Sequence, residues 1–148
     1  MPSGIDPKPS PIEVGAKASF TRTITETDVV LFAGITGDMN PFHLNEEYAR
    51  RARFGGRIAH GMLVSGLISA AIGMKLPGPG SVYLRQELDF RHPVHIGDTI
   101  TATVEVLRVQ SGKPIVTLST ACVNQDGVMV VEGKALVLLD RTPPGTLP

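Results

Sequence analysis

Residues 58–74 contain no Asp, Glu, Lys or Arg. A run this free of charge belongs either in a membrane or in the middle of a protein core. A membrane-spanning helix takes roughly 20 apolar residues. This run is shorter and carries His60, Ser65, Ser69 and three glycines. The core reading is the better one: a helix apolar on nearly every side, which other parts of the chain must wrap.

The wrapping material lies downstream. Val82, Leu84, Leu88 and Phe90 alternate with Tyr83, Arg85, Glu87 and Asp89, and Ile100, Ala102, Val104 and Val106 with Thr99, Thr101, Thr103 and Glu105. Period-two patterning marks strands with one covered face. Further strands are expected over 115–123 and 128–139, joined by the hairpin signal Asn124-Gln125-Asp126-Gly127. Ser111-Gly112-Lys113-Pro114 supplies the other turn. Upstream, a first strand is expected over 17–24. Thr25 then caps a helix, with Asp28 three positions on. That helix carries Val29, Val30, Phe32 and Ala33 and should fail near Gly34–Gly37. A polar loop through Pro41 and a short helix at 45–51 follow. One buried helix and an antiparallel meander give an α+β domain whose sheet curls around the helix.

The 148 residues suit one domain, large enough to bury a core without disulfide or metal. Residues 12–140 form it. The four prolines within 1–11 and the Pro-rich segment 141–148 mark tails. Lys plus Arg equals Asp plus Glu at 14 each, so the chain has no general pull on nucleic acid or anionic lipid. The single cysteine, Cys122, forms no internal disulfide and fits a reducing compartment. The N-terminus lacks the basic and apolar segments of a secretory signal, so the cytoplasm is the expected location.

The chemistry concentrates in Gly37-Asp38-Met39-Asn40-Pro41-Phe42-His43. A carboxylate and an imidazole five positions apart make a workable proton-transfer pair, with Pro41 stiffening the segment and Asn40 holding loop or water. The plain alternative has Asp38 capping a turn, Asn40-Pro41 opening one, and His43 on the surface. A second feature is Arg57-Ile58-Ala59-His60-Gly61-Met62 at the start of the uncharged helix. Free amides and the positive dipole end gather there, and Gly61 lets an oxygen approach closely. Charge developing on a thioester carbonyl would be stabilised there, although a glycine for tight packing explains the residue equally. His60 reads as a packed or hydrogen-bonded histidine. His92 and His95 would point to opposite faces of a strand and offer no third zinc ligand. Gly78-Pro79-Gly80 lacks the third glycine of a dinucleotide fingerprint. Cys122, mid-strand beside a valine, reads as an inert buried thiol.

Taken together, residues 37–43, Ala59-His60-Gly61-Met62-Leu63, Gly80-Ser81-Val82-Tyr83-Leu84 and Val94-His95-Ile96-Gly97-Asp98 resemble the MaoC-like hot-dog family, and within it the single-domain (R)-specific enoyl-CoA hydratases. The resemblance covers roughly residues 12–140. It implies a hot-dog fold, a long central helix wrapped by an antiparallel sheet and commonly paired as a homodimer. It also implies an overhanging loop-and-helix segment, about 25–52, that carries the catalytic pair. By motif match it makes Asp38 and His43 catalytic, Gly61 the oxyanion amide and Asn40 their support; by offset along the helix, Ser69 and Ile72 line the acyl pocket. The implied reaction is reversible hydration of trans-2-enoyl-CoA to the (R)-3-hydroxyacyl thioester, with no metal or redox cofactor. It leaves open polyester-precursor supply, β-oxidation and fatty-acid synthesis. Alternatives are a dehydratase acting on carrier-protein thioesters, a hot-dog thioesterase and a non-catalytic acyl-thioester-binding module. The thioesterase needs a carboxylate on or near the central helix, and residues 58–74 contain none.

Overall fold

The uncharged run becomes a helix from Gly61 to Met74, and a five-stranded antiparallel sheet packs on it. The computed structural model describes residues 12–140, so the expected tails, 1–11 and 141–148, lie outside the described residues. In chain order the elements are β1 (Lys17–Thr23), α1 (Glu26–Thr36), α2 (Pro41–Leu44), α3 (Glu46–Arg51), α4 (Gly61–Met74), β2 (Ser81–Phe90), β3 (Thr99–Val109), β4 (Ile115–Val123) and β5 (Met129–Leu139). The strand order is β1-β3-β4-β5-β2, leaving β1 and β2 at the edges. Among the described residues no helix is long and apolar enough to cross a membrane.

Val64, Leu67, Ile68, Ala71 and Ile72 recur at helical spacing on α4 and are buried against Ile100, Val104, Val106, Val116 and Leu118 of the sheet. Each buried aliphatic side chain of this size stabilises the fold by about 1.5–3 kcal/mol. The wrapping is one-sided, however. Met62 is 60% exposed, and Gly66 and Ser69 on the same face are exposed too. The sheet covers one side of the helix rather than enclosing it.

Strand β2 departs from the simple alternation. Its register against β5 shifts between Tyr83 and Arg85, so Leu84 sits in a bulge. Past the bulge, Gln86, Leu88 and Phe90 lie opposite Ala135, Gly133 and Val131, while before it Tyr83 lies opposite Val137. Facing residues in an antiparallel pair share a face, and Ala135, Val131 and Val137 are buried. Tyr83 and Gln86 therefore turn to the helix side, whereas Val82 and Leu84 are about half exposed. The pattern alone had put Val82 and Leu84 inside.

Helix α1 starts as the sequence signals. Thr25 accepts from the Asp28 amide, and the Asp28 carboxylate accepts from the Thr25 amide at 2.8 Å. That backbone hydrogen bond holds the Asp28 carboxyl below its usual 3.8, against the opposing effect of burial and with help from the Thr25 hydroxyl and Arg22. A depressed carboxyl stabilises the fold above its unfolded pKa and loses that contribution as pH falls through the folded value. Thr25→Ala is expected to cost about 1 kcal/mol by urea denaturation at neutral pH. Asp28→Asn should also lower the midpoint there, and its gap from the parent should close as the pH drops below 3.8.

Candidate active site

Helix α1 stops at Gly37, whose φ of 81° is the left-handed conformation that glycine adopts without strain. The chain then turns through Asp38, whose amide donates to Thr36 Oγ1 at 3.2 Å and whose Oδ1 accepts from the Asn40 amide at 3.2 Å. Asn40 caps α2, its Oδ1 accepting from the Phe42 amide at 3.1 Å, and Pro41 takes the first helical position, where an amide hydrogen is not needed. The sequence reading ran a polar loop through this point. Instead a single helical turn presents His43, which is only 9% exposed.

The peptide ahead of α4 holds His43. Its Nδ1 lies 2.7 Å from the Ile58 carbonyl. A carbonyl only accepts, so Nδ1 carries the hydrogen and Nε2 is the atom left for other partners. The Ile58 amide donates to Phe42 O at 3.1 Å, and Arg57 Nε donates to His43 O at 2.6 Å. The Arg57 guanidinium also pairs with Glu26 on α1 at 2.8 Å. His60, 2% exposed, sits behind, with Nε2 3.0 Å from the Asp38 carbonyl and its ring 3.8 Å from that of His43 at an interplanar angle of 30°. One carboxylate oxygen of Asp38 and one ring nitrogen from each of His43 and His60 all lie within 4.8 Å of one another.

These three residues line a cavity of about 530 Å³, together with Gly61, Phe90 and Val94. Arg53, Phe54 and His92 also border it. Gly61 opens α4, where first-turn amides have no partner within the helix. A Cβ at Gly61 would stand 2.7 and 2.8 Å from ring carbons of Phe90, so this position has no room for a side chain unless Phe90 moves. The site thus gathers a carboxylate, an imidazole and a bare helix N-terminus around one cavity.

Asp38, Asn40, His43 and Gly61 come together; Ser69 and Ile72 do not join them. Ser69 borders a second groove of about 450 Å³ between α4 and β2, with Met62, Ser65, Tyr83 and Gln86. Ile72 is 1% exposed within the core. His92 is at the cavity with Nδ1 2.9 Å from the Met129 carbonyl, and His95 pairs through its backbone with Ile58. Asp38, His43 and His60 are the one close cluster of ligand-type side chains among the described residues. His43 Nδ1 and His60 Nε2 are each engaged by a backbone carbonyl, of Ile58 and Asp38 respectively. Burial pushes the Cys122 thiol up to about 12, in keeping with an inert residue. Sequence reasoning gave Arg57 no role, because its carboxylate partner is 31 positions away and no local spacing announces it.

A single helix laid on an antiparallel sheet, with an Asp–His loop at the helix N-terminus, defines a hot-dog domain. The chain belongs to the MaoC-like domain family, whose model matches residues 8–126. It is 50% identical to an (R)-specific enoyl-CoA hydratase of Rhodospirillum rubrum, over 86% of this chain and 88% of that protein. It is 48% identical to a 3-hydroxybutyryl-CoA dehydratase of Methylorubrum extorquens, over 88% and 82%. The solved (R)-hydratase of Aeromonas caviae, described as involved in PHA biosynthesis, superposes with a TM-score of 0.85 at 43% identity, covering 87% of this chain and 98% of that one.

Arg57→Met should remove both the Glu26 pair and the bond to the His43 carbonyl. The bond to the His43 carbonyl contributes about 1.5–3 kcal/mol and the Glu26 pair, with that carboxylate 58% exposed, about 1 kcal/mol or less, so the urea midpoint should fall below that of the parent, while far-ultraviolet circular dichroism stays parent-like.

Proposed function

We propose that this chain is a hydro-lyase that reversibly hydrates trans-2-enoyl-CoA to (R)-3-hydroxyacyl-CoA, acting as a homodimer in the cytoplasm. The observation that carries the reading is the approach of the Asp38 carboxylate and a His43 ring nitrogen to within 4.8 Å on the wall of one cavity. A water molecule donating or accepting at about 2.8 Å on each side spans such a gap. The names of the relatives supply the substrate class.

In this mechanism the thioester carbonyl accepts from the Gly61 amide, whose place at the helix N-terminus favours the negative charge that gathers as C2–C3 is attacked. The water oxygen bonds to C3, and its released proton passes to the Asp38–His43 pair. A proton from the pair goes to C2, and exchange within the pair restores it. The sum is addition of one water with no change of oxidation level, so the chemistry draws on no redox cofactor. Asn40 supports the pair by capping the turn that presents His43. Arg53, for which no carboxylate partner occurs among the described residues, borders the cavity and offers positive charge to the phosphates of coenzyme A.

The dimer reading rests on β2. Nine of its ten residues pair with β5, on one side only, and Val82, Leu84 and Phe90 along it are 47–53% exposed. The exposed Met62 face of α4 borders the same groove. A second copy laid edge to edge would satisfy the open backbone groups and cover this surface. Ser69, on that groove, would then reach an acyl chain running along the interface, and Ile72 would shape it from within the core.

Asp38→Asn and His43→Gln should each lower kcat on crotonyl-CoA by about 100-fold or more, followed by loss of enoyl-thioester absorbance on protein of unchanged mass. A near-parental rate from either variant removes the assignment. Light scattering should give a particle of twice 15.7 kDa; a monomer would sink the dimer.

A further inference from the structure

The reaction as written leaves His60 unused, yet no other buried histidine in the described residues is so fully enclosed. It is 2% exposed, with its ring against that of His43 on one side and, 4.8 Å away at a 53° tilt, against that of Phe32 on another. Its Nε2 meets the Asp38 carbonyl at 3.0 Å, and its Nδ1 is buried with no hydrogen-bond partner. If packing were the only requirement, an apolar ring would fill the space without burying an unpaired nitrogen, which costs stability. The retained imidazole points to the one thing an apolar ring lacks, a hydrogen-bond donor aimed at Asp38.

We infer that His60 is a positioning residue for both members of the pair: it pins the Asp38 backbone by hydrogen bond and holds the His43 ring by stacking. The carbonyl accepts, so His60 Nε2 carries the hydrogen. Asp38 needs such a tether. It follows Gly37, which sits in the left-handed region at a helix end, and its side chain is exposed. Its only other backbone anchor in the described residues is the 3.2 Å bond to Thr36. The His43 ring is fixed at one edge by Ile58 O, and the His60 face removes the remaining freedom to rock. His60 itself cannot drift, because it precedes the first turn of α4 beside Ala59, whose amide bonds Val94 O at 2.7 Å. The carboxylate and the imidazole are thereby referred to one buried ring, and through it to the core helix.

This inference rests on the proposed hydration, and its test separates the two. His60→Phe keeps a ring against Phe32 and His43 but deletes the donor. It should lower kcat on crotonyl-CoA by about 10- to 100-fold, the scale of a misplaced catalytic group, with KM changed less than about twofold. His60→Gln, whose side-chain nitrogen reaches the place of imidazole Nε2 but which lacks the ring against His43, should recover part of the lost kcat. If His60→Phe does not fold, His60→Asn, too short to reach the Asp38 carbonyl, takes its place in the comparison. A kcat equal to the parent's in the Phe or Asn variant, or no recovery in Gln, overturns the inference. Deuterium uptake by residues 37–43 of the resting protein needs no turnover: it should quicken in the Phe or Asn variant and be parent-like in Gln. A parent that hydrates no enoyl thioester removes the functional reading and leaves the uptake comparison to decide the positioning role, with equal uptake in all variants counting against it.

Discussion

The peptide that enters the buried helix holds the whole site. The Ile58 carbonyl takes the His43 ring, the Ile58 amide takes Phe42 O, Arg57 takes His43 O and Glu26, and the His60 ring takes the Asp38 carbonyl. Three residues thus tie an overhanging loop to the one helix the sheet cannot release without exposing its core. The uncharged run is what makes this possible. Burial of Val64, Ile68 and Ile72 fixes α4 against β3 and β4, and a fixed α4 gives its N-terminus a fixed direction. Rigid support of this kind is what a catalytic pair needs, since small displacements are costly to rate.

Much of this is legible in the sequence where the signal is local. The uncharged run announces α4, Thr25 with Asp28 announces the start of α1, and Asn124-Gln125-Asp126-Gly127 announces the β4–β5 turn. The Asp38–His43 spacing shows a pair but not the turn that presents it, because four residues of helix carry no periodicity to read. The bulge at Leu84 is invisible for another reason: it belongs to the register between β2 and β5, whose facing residues there, Tyr83 with Val137 and Arg85 with Leu136, are far apart in the chain. The Arg57–Glu26 and His60–Asp38 contacts span 31 and 22 positions. No spacing rule reaches that far, so the residues that hold the pair are found only once the chain is folded.

Burial is graded across the site. His60 is enclosed, His43 nearly so, and Asp38 is exposed at the edge of the cavity. In the proposed reaction, the imidazole keeps its place in a dry wall while the carboxylate stands where substrate and water enter. An incoming acyl thioester would cover Asp38 and strengthen its electrostatic coupling to His43 by displacing solvent. The half-covered α4 and the open edge of β2 belong to the same proposal, since a second copy would complete the groove that begins beside Met62.

The central claim is that one water is delivered from one wall of the cavity to C3 of an enoyl thioester. Product analysis tests it most directly. Crotonyl-CoA is incubated with the protein, enoyl absorbance is followed, and the product is resolved on a chiral column with free thiol assayed in parallel. The account predicts (R)-3-hydroxybutyryl-CoA with the thioester intact. An (S) product, release of free coenzyme A, or no loss of absorbance across a C4–C12 series would contradict it.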